Sequence, residues 1–450
     1  MLGLDNMKED DKLPRALLSF IGTNKYRECV YEFDGKKASA SRFILHALTE
    51  LFCTNWTNDD RIIVFLTQKA REMYWESNEN EPKDLQIELC HILDRTGPIV
   101  IPVDIPTGKS IGEIWEIMKI IAKTISEDDH IIFDITHALR SIPLIGLVAI
   151  DYSRILKKAR VFRILYGAFE ILGPVFKIDK IPIQERIAPI FDLSPIVFLS
   201  NFTNAISSFI FTGNAMMMQK TVTELEGAYA QSIYSDKSSS TEEIKLRNEL
   251  KDLKWFLKEL NRFSEDIATC RSKKLNTFSY RLQEGAEKIH GSGPIREMVI
   301  PLIDSVIEQT SIFVTGSDFN TIQAAQWCID HGLTQQAYTL LQEGIITGLL
   351  PLIQGSALSE AENTREPLSA ALGSSWKSNF DSMDIDDSLK KFVLTLDQSF
   401  LDSFVKLQKY RNDINHGGTG PKPEKSGELR EYLKLIFPIL RDNIFKRRNE

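Results

Sequence analysis

The chain reads as an α/β domain built on a parallel sheet, followed by an entirely helical region. Two observations carry that expectation. Short apolar runs at Leu17–Ile21, Ile62–Leu66, Ile99–Val103, Ile131–Phe133 and Val161–Leu165 have the character of strands buried on both faces. Segments with helical periodicity stand between them, at Ala40–Phe52, Leu85–Leu93, Ile111–Ile125 and Ile142–Leu156. Such alternation predicts a parallel sheet covered by helices on both sides. A last apolar segment, Ile171–Ile178, is expected to pair antiparallel at an edge.

From about Pro195 the pattern is helical. Ile196–Phe211 is the first long apolar element, and Ser235–Thr241 reads as a solvated loop before a charged helix at Glu242–Phe263. A second helical unit begins near Asn320, with Ile322–Asp330 and Gln335–Leu350 separated by a turn at Gly332. Gln354–Asp387, rich in Ser, Glu and Asp, is expected to be a long loop. A helix from about Leu394 to His416 ends at Gly417-Gly418, and a final helix starts near Gly427. The resulting partition is 1–192, 193–318 and 319–450.

At 450 residues the chain is long enough for two or three cores. With 43% hydrophobic and 26% charged residues it has the composition of a soluble globular protein. No apolar run approaches the length needed to span a bilayer, and the first fifteen residues lack the apolar stretch of a signal peptide. The five cysteines are scattered, without a C-x-x-C pair, which points to a reducing cytoplasm rather than a disulfide framework or a zinc site. A net charge of −8 argues against tight non-specific binding of nucleic acid. Residues 401–450 are the exception, with eleven Lys/Arg against seven Asp/Glu, so RNA would be handled there.

No dinucleotide fingerprint follows the first strand, which leads into Gly22-Thr23-Asn24-Lys25. Thr107-Gly108-Lys109-Ser110 imitates the end of a phosphate-binding loop, but Val103 stands where its first glycine belongs, and a plain turn before a helix is the expected outcome. In an open parallel sheet the ligand crevice lies at the carboxyl ends of the strands. The loops there carry Gly22, Thr23, Asn24, Lys25, Thr67, Gln68, Lys69, Asp134, Thr136, His137, Arg140, Ser141, Tyr166 and Gly167. Hydroxyls, amides and cations in this arrangement suit a ligand with several phosphates. Polar residues also belong on loops for solvation alone, and residue type leaves both readings open.

Leu17–Phe33 and Phe133–Pro143 (FDITHALRSIP) resemble the CRISPR-associated Rossmann-fold family, CARF, and within it the subfamily marked by Asp-x-Thr-His-Gly. Phe65–Ala70, Ile105–Trp115 and Leu165–Glu170 agree as well, so the resemblance runs from about residue 15 to about residue 210. Ala138 departs from it, standing where the subfamily has glycine. The resemblance implies a Rossmann-like sensor at 1–192. It further implies that a cyclic oligoadenylate, with cyclic tetra-adenylate favoured, binds across a two-fold dimer through the strand-end residues named above.

A second constellation is Arg411-Asn412-Asp413-Ile414-Asn415-His416, the one place where an arginine precedes a histidine by five to seven residues. An R-x4-H pair alone means little. Here it lies in the basic, helical C-terminal region, and with Ala324–Leu350 it resembles the all-α HEPN ribonucleases. That resemblance implies a helical linker at 193–318, a HEPN domain at 319–450, and a catalytic pair that meets its counterpart across a dimer. It also implies metal-independent cleavage of single-stranded RNA to a 2′,3′-cyclic phosphate. His416 would serve as general acid or base, Arg411 would neutralise phosphoryl charge, and Asn412 would position the phosphate. Positions five apart on a helix diverge by about 140°, which suits a site shared by two chains. The expected system is antiviral defence of the type III CRISPR kind. Two rivals stand beside it: a non-catalytic sensor that regulates a partner, and a ring nuclease in which Thr23, Lys25 or His137 helps degrade the activator. His46 and His91 are expected to be structural.

Overall fold

The computed structural model describes residues 14–76, 83–93, 96–137, 141–224, 241–289, 294–353, 364–377, 380–382 and 384–449. Each apolar run expected as a parallel strand is one: β1 (Arg15–Ile21), β4 (Arg61–Leu66), β5 (Ile99–Asp104), β6 (His130–Asp134) and β7 (Arg160–Gly167). Three strands were not anticipated, β2 (Val30–Phe33), β3 (Lys36–Lys37) and β8 (Ile187–Asp192). The sheet order is β3-β2-β8-β7-β6-β1-β4-β5, mostly parallel, with β7–β8 and β2–β3 antiparallel.

Alternation along β1 explains why both faces are covered. Leu17 and Ile21 point to a layer with α1 (Ile44–Phe52) and α2 (Asp84–Ile92), while Ala16, Leu18 and Phe20 point to α3 (Ile111–Thr124) and α4 (Ser141–Lys157). A side chain moved by one register would leave one layer for the other. The expected edge strand at Ile171–Ile178 is corrected. Gly173, at φ +99°, and Pro174 break that run into a helical turn at Phe169–Leu172 and another at Val175–Ile178. The antiparallel partner of β7 is β8, in register Leu165 with Asp192 and Gly167 with Ile190.

The chain divides into two compact units, Met1–Val197 and Phe198–Glu450. Helices of the second unit are α5 (Ser194–Thr212, which begins just before the division), α6 (Thr241–Ala268), α7 (Phe278–Ile289), α8 (Pro294–Thr310), α9 (Asn320–Asp330), α10 (Thr334–Leu349), α11 (Arg365–Ser374), α12 (Asp387–Val393), α13 (Gln398–Asn415) and α14 (Ser426–Asn449). One apolar core runs through them from Phe198 to Ile444. Phe263 shows the continuity, with ring centroids 4.3 Å from Phe278, 5.2 Å from Phe313 and 5.1 Å from Trp327. Each such pair is worth about 0.5–1.5 kcal/mol beyond its buried area. Segments 193–318 and 319–450 therefore share a core.

Two further expectations are corrected. Gln354–Asp387 is not one long loop, because α11 lies inside it and buries Leu368, Ala371 and Leu372; its residues 354–363, 378–379 and 383 lie outside the described residues. By length and composition α5 does pass as a candidate membrane span. Its stripe Phe198, Phe202, Ala205, Ile206 and Phe209 lies in the helical core, while Ile196 and Phe211 on the same helix are exposed.

Candidate functional site

In the first unit, β1 has β4 on one side and β6 on the other, so the chain reverses its direction of winding there. Ligand crevices form at such a point, outside the carboxyl ends of the strands. The segment from Gly22 to Cys29 leaves β1 and must pass over the ends of β6 and β7 to enter β2 beside β8. Thr23, Asn24 and Lys25 are exposed on it.

Asp134 ends β6 fully buried. Ser19 Oγ donates to its Oδ2 at 2.6 Å, and the Thr136 amide donates to its Oδ1 at 2.9 Å. Burial raises this carboxyl above its usual range, against the opposing effect of those hydrogen bonds. The Gly167 amide then donates to Thr136 Oγ1 at 2.8 Å, joining the β6 loop to the end of β7. Gly167 is required by packing: a Cβ there would lie 2.6 Å from Ile44 Cδ1 and 2.9 Å from Tyr31 Cε1. Asp134 and Gly167 thus stand behind the crevice wall and shape it.

His137 is half-buried and lies against Tyr26, with ring centroids 4.2 Å apart. Burial pushes its imidazole down to about 4. Its Nε2 is buried without a hydrogen-bond partner among the described residues. Thr67 Oγ1 accepts the Ala70 amide at 3.3 Å and so caps the turn after β4, leaving Gln68 and Lys69 exposed. Gln68 Nε2 donates to Glu72 at 3.2 Å. Tyr166 donates to Glu170, and burial, aided by that carboxylate, pushes its hydroxyl up to about 12. Ser141 is the exposed first residue of α4. Arg140 and Ala138 lie outside the described residues.

Thr107–Ser110 is a capping turn, as expected. Ser110 Oγ accepts the Glu113 amide at 3.2 Å, and Glu113 reaches back to the Lys109 amide at 3.0 Å. His46 is buried between Glu88, at 3.0 Å, and Glu50, at 3.7 Å, in keeping with a structural role.

One surface beside the crevice gave no signal in the strand–helix pattern. On α4, Leu144, Val148, Tyr152, Ile155 and Leu156 are each half or more exposed, at spacings that place them along one side of the helix. Large apolar side chains gathered in this way are uncommon on a solvated face.

In the second unit, α13 ends at His416 in a motif that dictates the two glycines. The Gly418 amide donates to the Asp413 carbonyl at 2.9 Å and the Gly417 amide to the Ile414 carbonyl at 3.0 Å. Both glycines have φ of +66°, a region that costs an L-residue about 1–2 kcal/mol. The same turn fixes His416 in the open, with its amide on the Asn412 carbonyl at 2.9 Å. Asn412 itself is exposed. Arg411 is half-buried, and its Nε is buried without a partner among the described residues. Its guanidinium acts on Cys270, opposing the rise that burial imposes on that thiol. Asp413 and Glu424 were overlooked in the sequence. The Glu424 amide donates to Asp413 Oδ2 at 3.2 Å and Lys409 pairs with Glu424 at 3.0 Å, so the loop after the glycines is tied back to α13. Only the four-residue spacing of Lys409 and Asp413 hinted at a shared face.

Residues 16–170 match the family described as CRISPR system endoribonuclease Csx1, CARF domain. CRISPR-associated protein MJ1674 of Methanocaldococcus jannaschii is 30% identical over 179 residues, covering 36% of this chain and 27% of that protein. The matched stretch thus spans about a quarter of that relative's length. Among solved structures, Enterococcus italicus Csm6 bound to cyclic hexa-2′-fluoro-hexa-dAMP is similar at a TM-score of 0.45 and 12% identity, over 96% of this chain and 94% of that one.

Proposed function

We propose that this chain, whose residues 16–170 match the CARF domain of CRISPR system endoribonucleases, is a ribonuclease switched on by a cyclic oligoadenylate. The ligand is held at the strand-end crevice by Thr23, Asn24, Lys25, Lys69, Thr136 and neighbouring groups. Cyclic tetra-adenylate is the ring of choice, since an even-membered ring suits a two-fold dimer. The apolar row on α4, directly after the β6 loop, supports such a homodimer.

The observation that carries the nuclease half is the state of Arg411 beside the exposed His416. A buried guanidinium N–H without a partner is unusual in a native protein and suits a phosphate oxygen as its missing acceptor. The 2′-OH of single-stranded RNA attacks the adjacent phosphorus, forming a 2′,3′-cyclic phosphate and expelling the 5′-oxygen. His416 moves the proton, taking it from the 2′-OH or delivering it to the leaving 5′-oxygen. Arg411 meets the charge growing on the phosphoryl oxygens. The nucleophile belongs to the RNA itself, so the chemistry requires no metal ion.

The test is cleavage of an end-labelled single-stranded RNA, with cyclic tri-, tetra- or hexa-adenylate in turn, in excess EDTA. Cleavage with cyclic tetra-adenylate and 2′,3′-cyclic phosphate ends are expected. Absence of cleavage with every ring, or loss on chelation restored by magnesium, would overturn the reading.

A further inference from the structure

Tyr26 occupies the crevice in a way that the proposed sensing function does not by itself explain. Its side chain folds back over the exposed stretch Thr23–Lys25, and its hydroxyl accepts the Gly22 amide at 2.8 Å. Gly22 is the first residue after β1, at the switch point of the sheet, where backbone N–H groups ordinarily serve anionic ligands.

The ring of Tyr26 also ties together segments that the sheet brings to this edge. It lies 4.2 Å from His137 after β6, 5.2 Å from Tyr74 in the turn after β4, and 5.7 Å from Phe43 before α1. Tyr74 in turn donates to the Asn24 carbonyl. Burial raises the Tyr26 hydroxyl well above its ordinary range, so it stays neutral and remains a modest acceptor for an amide. A phosphate oxygen carries full negative charge, and charge-assisted hydrogen bonds are roughly twice as strong as neutral ones. In a contest for one N–H, the anion therefore wins.

We infer that Tyr26 is a latch: its hydroxyl holds the Gly22 amide in the empty crevice, and a phosphate group of the ligand takes that amide by displacing it. This rests on the reading of the crevice as a cyclic-oligoadenylate sensor and assigns how that site is kept closed. Displacement frees Tyr26 to move away from His137 and Tyr74, so occupancy at β1 is transmitted to the loops after β6 and β4. His137 Nε2, buried without a partner among the described residues, belongs to the same ring cluster.

Tyr26→Phe keeps the ring and removes only the acceptor. Two measurements decide, both on the full chain. By hydrogen exchange, the Gly22 amide of Tyr26→Phe should exchange faster than in the wild type without ligand. By calorimetry with cyclic tetra-adenylate, Tyr26→Phe should bind about fivefold more tightly, the factor that the usual net worth of one hydrogen bond, ~1 kcal/mol, represents. Equal affinity of the two proteins, or an unchanged Gly22 exchange rate, would overturn the latch and leave the sensor reading intact. Weaker binding by Tyr26→Phe would make Tyr26 a ligand contact and equally overturn it. Failure of both proteins to bind any cyclic oligoadenylate would instead remove the sensor reading on which the latch depends.

Discussion

Around the strand ends of the first unit several buried polar groups are paired with one another, with His137 Nε2 the exception, whereas at the end of α13 they stand waiting. Asp134 holds Ser19 and Thr136, Thr136 holds Gly167, and Tyr26 holds Gly22. His416 projects from a glycine turn into solvent, and Arg411 keeps a buried N–H without a partner among the described residues. On the proposed reading, ligand binding rearranges the first arrangement. On the same reading, an RNA phosphate and a second copy of the chain complete the second. A site that has to change on binding is suited to sensing, and one that is completed from outside is suited to being switched.

The sharpest way to break this contrast is to remove the waiting groups. His416→Ala and Arg411→Ala should each lower activated RNA cleavage by about 10²–10⁴-fold, while cyclic tetra-adenylate binding, read by calorimetry, stays unchanged. Cleavage within a factor of a few of wild type would remove the pair from the chemistry.

The paired groups should instead betray themselves in stability. Asp134→Ala orphans Ser19 Oγ and the Thr136 amide and is expected to cost about 1–3 kcal/mol in urea denaturation. Asp134→Asn, able to serve both neighbours, should cost much less. Equal losses in the two variants would mean that space, rather than hydrogen bonding, governs the position.

Gly417→Ala sharpens the other side. Nothing lies within 4 Å of the added Cβ, so the cost is that of the backbone alone, about 1–2 kcal/mol. A full loss of cleavage with that small loss of stability would show that the turn aims His416. Retained cleavage would mean that the histidine finds its place without it.

The last expected effect is one of pH. His137 titrates at about 4 in the folded chain against 6.5 in the unfolded one. The unfolded chain therefore takes up this proton first as pH falls, so the contribution of His137 is full above about pH 6.5 and is lost toward about pH 4. His137→Phe should flatten the fall in stability across that interval. An unchanged slope in denaturation midpoints would place the imidazole in contact with water.

Much of the fold was legible because its signals are local. β1 and β4 are largely apolar after their first arginine, and α3 opens with Ser110 and Glu113 spaced for reciprocal capping. β8 was not legible: it is interrupted by Pro189, which ordinarily demotes a strand, and it survives because its ladder with β7 lies after that residue, at Ile190–Asp192, while the Pro189 carbonyl still accepts the Ala168 amide at 2.9 Å. Ile171–Ile178 misled in the opposite sense, since apolar character outlasted the break at Gly173-Pro174. At the crevice, residue types gave no sign of which groups are exposed and which are buried. Asp134 and Gly167 stand in sequence beside exposed loop residues, and only the structure shows the one fully buried and the other packed against Ile44 and Tyr31. Tyr26 looks like filler until its hydroxyl is placed on Gly22. At the end of α13 the doubled glycine told where the helix stops, and nothing in the spacing foretold Glu424 reaching back to Asp413.

The crossing from β1 to β2 carries a consequence in time. β2 finds its place only beside β8, about 150 residues further along the chain, with Val30 set against Ile187 and Glu32 against Pro189. Contacts of such separation form late, because the loop must be closed before the pairing rewards it. On a growing chain β1 emerges early, and the strap bearing Thr23, Asn24, Lys25 and Tyr26 can first rest on Phe43 and Tyr74. Its far end joins the sheet only when β8 has been made, so a chain interrupted before residue 187 would carry the strap with β2 left off the sheet.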